Sequence, residues 1–321
     1  MTQLWPSLMS AIPTPFKKIS MYSIDSIDNM DNMDNIDNID YDSLDNLIIS
    51  QLKNDLGIVV FGTTGECVTL TSREKHKIME YITVIYSHNL QNFVIGIGGN
   101  NTAECIQNML DAYNYGFCKF MATTPYYNKP TQNGLCAHFL EIEKYLPESC
   151  EMILYNVPGR TGVNLLPSTV LKIKNESLGK IIGIKEASGN LSQMIQIREL
   201  IPEFKLFCGD DGLVIPAMSI GATGLISVAA NVFPIEFSEI IKFCEEKEYD
   251  KAFHFYLRFN KFIELLFQET SPSPVKSALM IKNVFKNDLV RLPLVQTSYE
   301  LYDKIQIYLN KYFEKYNRFD N

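Results

Sequence analysis

The chain is expected to fold as an α/β protein, a (β/α)8 TIM barrel followed by a C-terminal helical appendage. Two observations carry that expectation. Eight short apolar runs alternate with amphipathic segments over about 250 residues, the arithmetic of eight strand–helix units. The rival doubly wound sheet normally announces itself by Gly-x-Gly-x-x-Gly. The nearest stretch, Gly96-Ile97-Gly98-Gly99, has Asn101 where the last glycine should stand.

In chain order the strand candidates are 8–12, 57–61, 93–98, 117–122, 152–156, 181–185, 205–208 and 223–228. They are rich in branched apolar residues, as befits strands covered on both faces. Among the helices, Thr71-Ser72-Arg73-Glu74 reads as a capping box, with Ile78, Ile82 and Ile85 on one face behind it. Another helix starts at Pro234, with Phe237, Ile240, Ile241 and Cys244 at i, i+3, i+4 and i+7. After residue 247 the alternation stops, so the barrel is assigned to 1–247 and a helical region to 248–321. There Phe255, Phe259, Phe262 and Leu266 recur at helical spacing before Pro272 and Pro274. So aromatic a face suits core or subunit contact.

Composition narrows the functional classes. A chain of 321 residues with 46% hydrophobic and 21% charged content has an ordinary globular balance. Its seven cysteines are scattered, odd in number and form no CxxC pair, which argues against a disulfide framework or a zinc site. A reducing compartment, the cytoplasm, is expected. Residues 1–16 lack a basic leader and are interrupted by Pro6, Pro13 and Pro15, so no signal peptide is expected. The uncharged run 212–235 is 24 residues long, yet Pro216, Gly221, Gly224, Asn231 and Pro234 punctuate it as helix, turn and strand rather than a membrane span.

The net charge of −8 is concentrated in one place. Residues 23–40 are six tandem tripeptides, each ending in aspartate, so the rest of the chain carries only −8 + 6 = −2. A period of three matches neither helix nor strand, so the repeat specifies no buried face and reads as an expanded surface loop. It falls between strand one and the first helix, away from the expected catalytic mouth. No basic patch invites nucleic acid.

One residue breaks the apolar pattern: Lys185, in Ile181-Ile182-Gly183-Ile184-Lys185-Glu186. An ammonium at the end of a buried strand must find a partner, reach solvent or lose its proton. In a barrel the chemistry lies at the C-terminal ends of the strands. Those ends read Gly62-Thr63-Thr64-Gly65-Glu66, then Thr123-Thr124-Pro125-Tyr126-Tyr127-Asn128, Tyr155-Asn156-Val157-Pro158-Gly159-Arg160, Lys185, and Gly209-Asp210-Asp211. Together they offer an amine nucleophile, hydroxyls able to pass protons and a guanidinium suited to a carboxylate. No His or third carboxylate completes a metal site around Asp210 and Asp211, and no cofactor motif appears, so neither metal nor cofactor is expected.

Four ordered motifs, Gly62-Thr63-Thr64-Gly65-Glu66, Tyr126-Tyr127-Asn128, Tyr155-Asn156-Val157-Pro158-Gly159-Arg160-Thr161-Gly162 and Gly183-Ile184-Lys185-Glu186-Ala187-Ser188-Gly189-Asn190, with Ala11-Ile12-Pro13-Thr14-Pro15 at one end and Arg291-Leu292-Pro293 at the other, resemble the dihydrodipicolinate synthase / N-acetylneuraminate lyase family of Schiff-base aldolases. The resemblance implies that Lys185 forms an imine with pyruvate. Tyr155 would shuttle protons, polarised through Thr63, with Tyr127 completing the relay from a neighbouring subunit. Thr64 would bind pyruvate's carboxylate, and Gly209 and the backbone of Ile226 would line the pocket. Synthase-type members carry arginine at the position of Arg160, where it holds the carboxylate of L-aspartate 4-semialdehyde; sialic-acid lyases typically have an apolar residue there. The expected role is therefore condensation of pyruvate with that aldehyde, toward diaminopimelate and lysine, in a homo-oligomer that is at least a dimer and commonly a tetramer. Asn100, Glu104 and Tyr126 match positions that bind lysine in feedback-regulated members. Ser72 and Lys75 stand where some of those carry histidines, and Lys75 places a cation near a cationic ligand, so weak or absent inhibition is expected. The rivals are a sugar-acid lyase on the same fold, and a barrel retained as a binding scaffold.

Overall fold

The structure, a computed structural model, describes residues 5–18 and 38–316; most of the tandem repeat lies outside the described residues. Eight strands, β1 (Leu8–Ala11), β2 (Gly57–Val60), β3 (Phe93–Gly96), β4 (Lys119–Thr123), β5 (Glu151–Asn156), β6 (Ile181–Glu186), β7 (Lys205–Cys208) and β8 (Gly224–Ser227), form a closed parallel barrel in sequential order. Around it run α1 (Tyr41–Leu52), α2 (Ser72–Ile85), α3 (Thr102–Asn114), α4 (Gln132–Tyr145), the single turn α5 (Pro158–Thr161), α6 (Pro167–Glu176), α7 (Leu191–Leu200), α8 (Val214–Ser219) and α9 (Pro234–Glu245). Four more helices follow: α10 (Tyr249–Tyr256), α11 (Asn260–Leu266), α12 (Ser273–Ile281) and α13 (Tyr299–Tyr316). No helix among the described residues is long and apolar enough to cross a membrane, and 212–235 is a short helix, a turn and β8.

Local sequence explains most helix starts. Thr71 and Glu74 form the reciprocal box, Glu74 N–H donating to Thr71 Oγ1 at 3.2 Å and Thr71 N–H to Glu74 Oε2 at 2.9 Å. The buried face of α2 is Ile78, Met79 and Ile82, whereas Ile85, in the last turn, is 52% exposed. In α9 the face expected from spacing is buried intact. The aromatic repeat near residue 259 is split between α10 and α11: Phe259 and Phe262 pack on Phe233 with ring centroids 5.1 and 4.9 Å away. Phe255 is left half-buried.

Two expectations about the repeat are corrected. Its last unit does have a buried face: Ile39 is fully buried and bridges to Phe16, and Asp40 caps α1 by accepting from Ser43. The repeat also leaves from the C-terminal end of β1, and every strand-to-helix connection in such a barrel emerges on the face that carries the mouth. Its anchors therefore sit on that face rather than away from it.

Alternation along each strand makes two cores. Outward residues such as Ile58, Ile95, Leu154, Ile184 and Leu206 meet the helices. Inward residues Met9, Val59, Val94, Met121, Ile153, Phe207 and Ile226 fill the barrel under Tyr155. At the bottom Trp5 closes the interior, its indole N–H donating to Glu151 at 2.7 Å. Beside it Lys119 donates to Gln91 O at 2.6 Å, and burial pushes its ammonium down to about 8.

One irregularity decides where the strand-six lysine points. Met152 pairs with Ile181, but Ile153 pairs with Gly183, so Ile182 is an extra residue opposite β5. Ile181 and Ile184 both belong to the outer core, three residues apart, which strict alternation forbids. The bulge resets the parity, so Ile184 faces the helices and Lys185 faces the barrel. Beyond it Tyr155 pairs with Lys185.

On α4, His138 is 7% exposed; its Nδ1 lies 2.9 Å from Thr102 Oγ1, and its Nε2 has no partner. Burial pushes it from 6.5 down to about 4. The unfolded chain therefore binds a proton that the folded chain refuses, and stability drains as pH falls from 6.5 to 4, with no effect above 6.5. The expected loss from this group is about 3 kcal/mol. Urea unfolding across that range should show a correspondingly smaller acid loss in His138→Gln than in the parent chain.

Candidate active site

At the C-terminal end of the barrel lies a cavity of about 500 Å³. Lys185 reaches into it from β6 and is 5% exposed, with its Nζ 4.4 Å from the centroid of the Tyr155 ring. No carboxylate of the described residues pairs with that ammonium. The amine is thus desolvated without an ion-pair partner, the arrangement in which lysines become nucleophiles. Gly209, at the end of β7, makes the room: a Cβ there would lie 2.9 Å from Lys185 Cε and 2.6 Å from Ala187 Cβ.

The connection after β2 supplies the opposite wall. Phe61 and Glu66, with φ of 58° and 52°, bracket it in left-handed backbone that side-chain-bearing residues rarely adopt. Between them Gly65 N–H donates to Gly62 O and Glu66 N–H to Thr63 O, each at 3.1 Å. Thr14 Oγ1 donates to Gly65 O at 2.7 Å. This tight fold presents both Thr63 and Thr64 to the cavity. On the third side α5 begins with Pro158 at its first turn and ends at Gly162 with φ of 72°, and exposed Arg160 lines the rim.

The structure therefore gathers Lys185, Tyr155, Thr63, Thr64, Arg160 and Gly209 around one space. The Ile226 side chain is not on its wall but packs one layer deeper in the inner core, and Val228, just past the end of β8, lines the cavity. Tyr127 is not there either. It is 88% exposed at φ of 70°, and lines a neighbouring cavity of about 730 Å³ with Tyr126 and Val68; Thr63, Val157 and Arg160 belong to both. No hydrogen bond among the described residues joins Thr63, Tyr155 and Tyr127 within the chain. Asn100 and Glu104 are exposed beside the start of α3, and only Tyr126 of that trio faces the second cavity.

Sequence reasoning overlooked the outer wall. Tyr256, Asn260 and Glu264 close the cavity from α10 and α11, with Tyr256 Oη donating to Asn260 Oδ1 at 3.3 Å and Asn260 Nδ2 to Glu264 at 3.0 Å. Their spacing of four is a polar stripe beside the aromatic one, and that stripe was the missed signal. Burial, then the charges of Asp211 and Asp210, push the Tyr256 phenol up to about 12, so it stays a donor at neutral pH. Asp210 lines the cavity, whereas buried Asp211 accepts from Val228 N–H at 3.0 Å and Ala229 N–H at 3.1 Å and ties β7 to β8. No group of three or more His, Cys, Asp or Glu side chains converges as a metal site among the described residues.

Comparison with known proteins gives a consistent set of matches. The model of the dihydrodipicolinate synthetase family matches residues 28–312. A curated protein from Cytophaga hutchinsonii, named 4-hydroxy-tetrahydrodipicolinate synthase, is 39% identical over 92% of this chain and 93% of its own length. One of the same name from Alkaliphilus oremlandii is 40% identical over 79% of this chain and 86% of its own. A crystal structure of dihydrodipicolinate synthase from Aquifex aeolicus, 32% identical, superposes with a TM-score of 0.85 over 96% of this chain and 98% of that one.

Gly209→Ala should crowd Lys185 Cε and Ala187 Cβ together, on the side of the cavity away from Thr63, Thr64 and Arg160. Displacement of a reacting amine by about 1 Å costs roughly a hundredfold in rate. The rate at which Lys185 is trapped by a keto acid and borohydride should fall by that order, while circular dichroism stays that of the parent chain.

Proposed function

The chain belongs to the dihydrodipicolinate synthetase family, and from that membership we infer that it condenses pyruvate with L-aspartate 4-semialdehyde, as a 4-hydroxy-tetrahydrodipicolinate synthase. It is a lyase of the Schiff-base type. The observation that carries the reading is Lys185: a 5% exposed amine at a cavity wall, unpaired, in register with a tyrosine.

In this reading Lys185 attacks the ketone of pyruvate, expels water and forms an imine. The iminium draws electrons from the methyl carbon, a proton leaves, and the resulting enamine adds to the aldehyde. The amino group of the second substrate then displaces Lys185 as the ring closes, freeing the amine for another turnover. Thr63 and Thr64 hold pyruvate's carboxylate and orient protons on one wall, and Tyr155 carries protons beside the imine. Arg160, exposed and without an ion pair among the described residues, binds the carboxylate of the aldehyde.

Tyr127 acts from a partner subunit. Its 88% exposure, beside Val68 at 71%, supports an interface role: these are large apolar surfaces at a cavity that opens onto Thr63 and Arg160. A symmetric dimer through this face brings each Tyr127 to the other copy's site, and pairing of dimers gives a tetramer. The scattered cysteines fit a reducing cytoplasm.

Reduction with borohydride in the presence of pyruvate should add one reduced three-carbon unit at Lys185, located by peptide mass. An adduct elsewhere, or none, would end the mechanism. The shared site is tested separately by mixing Tyr127→Phe with Lys185→Ala. Each alone should be impaired, and subunit exchange between them should raise activity above the sum of the two; no gain after verified exchange would return Tyr127 to a role within its own chain.

A further inference from the structure

Glu66 closes the connection that carries Thr63 and Thr64, and its carboxylate does not face the cavity. It is buried to 1% in an ion pair with Lys276 of α12, itself at 0% and 210 residues away in sequence. Lys276 Nζ also donates to Leu289 O at 2.7 Å and lies 4.1 Å from the centroid of the Phe16 ring. The second oxygen of Glu66 accepts the Arg291 N–H at 3.0 Å. Arg291 in turn donates to Thr69 O at 2.7 Å and to Glu74, and stacks on Phe16 at 4.4 Å.

Stability alone does not call for this pair. Taking two charges out of water costs several kcal/mol per ion, and an apolar pair of similar volume usually serves as well or better. Two other buried carboxylates do without a lysine ammonium: Glu143 accepts from the Ser177 hydroxyl and the backbone N–H groups of Leu178, Lys180 and Ile181, and Glu186 accepts from Asn156, Ser188 and Gln193. What a buried ion pair adds is a fixed point. Glu66 needs one, because its backbone is held at φ of 52° at the end of a turn whose other end, Phe61, is also left-handed.

We propose that Lys276 is a positioning residue for the substrate keto acid: through Glu66 it holds the 62–66 connection in the strained form that turns Thr63 and Thr64 to the cavity. The C-terminal helices are then a brace for one wall of the site. This rests on the reading of those threonines as the pyruvate-carboxylate wall, and it assigns their geometry to a residue that never meets substrate. The other substrate, held by Arg160 on α5, is independent of the brace.

The test is Glu66→Leu/Lys276→Met, which removes both charges together and leaves no buried ion unpaired. Half-saturation by pyruvate, read both from borohydride trapping at Lys185 and from steady-state KM, should rise about tenfold. The KM for the semialdehyde should stay within about twofold, and the trapping stoichiometry should remain one per chain. A merely structural role would lower stoichiometry or melting temperature without this split. Parent-like half-saturation for pyruvate in the folded double variant overturns the proposal, as does an equal rise for both substrates. If the double variant does not fold, Glu66→Gln keeps the volume and is judged by the same split. Failure of the parent chain to trap pyruvate at Lys185 refutes the proposed function itself, which separates the two failures.

Discussion

In a closed parallel barrel every strand residue has only two directions to point, and neighbouring strands must agree on which. The site depends on how β6 meets that constraint. Its apolar run would carry Lys185 outward among the helices if alternation held from Ile181, because the two are four residues apart. The extra residue opposite Met152 and Ile153 shifts the parity once, and Lys185 turns in beside Tyr155. Both ends of the strand are then held by carboxylates. Glu143 receives the N–H groups of Lys180 and Ile181 at the start, and Glu186 receives Asn156, Ser188 and Gln193 at the end. A slip back to regular pairing would have to break both sets.

The buried charges divide by role according to their partners. Glu66, Glu143, Glu186 and Asp211 are each saturated with donors, and each fastens a connection or strand end. Lys276 is paired too, with Glu66 and the Leu289 carbonyl, and is a strut. Lys185 is equally hidden but faces open space and an aromatic ring instead of a carboxylate. Burial alone does not separate a structural lysine from a reactive one; the absence of a countercharge does.

How much of this was legible in the sequence follows from the range of the interactions. The eight strands and the Thr71–Glu74 box were readable because alternation and capping are local. So were Lys185, Thr63, Tyr155 and Arg160, which stand at strand ends that the fold turns toward one mouth. The bulge was not, since Ile181-Ile182-Gly183-Ile184 looks uniform and only its pairing with β5 reveals the surplus residue. Nor was the Glu66–Lys276 pair, whose members are 210 residues apart. That Val228 lines the cavity was not legible either, because it lies past the end of β8 in helical backbone, where strand alternation no longer applies. The Tyr256–Asn260–Glu264 stripe was hidden by the stronger aromatic signal beside it.

The pinch at the base of the tandem repeat has a consequence for how the chain tolerates change. Lys17 N–H donates to Asn38 O, Asp40 N–H donates to Pro15 O at 3.0 Å, and Phe16 bridges to Ile39, so entry and exit are fastened side by side. The free energy of closing a chain between two fixed points grows only logarithmically with its length, about 0.6 kcal/mol per doubling. Triplets can therefore be gained or lost upstream of Asn38 almost without penalty, as long as one Asn-Ile-Asp remains to fill the pocket over Phe16 and cap α1. The barrel is thereby insulated from copy number: the repeat can differ in length while the fold it interrupts stays the same.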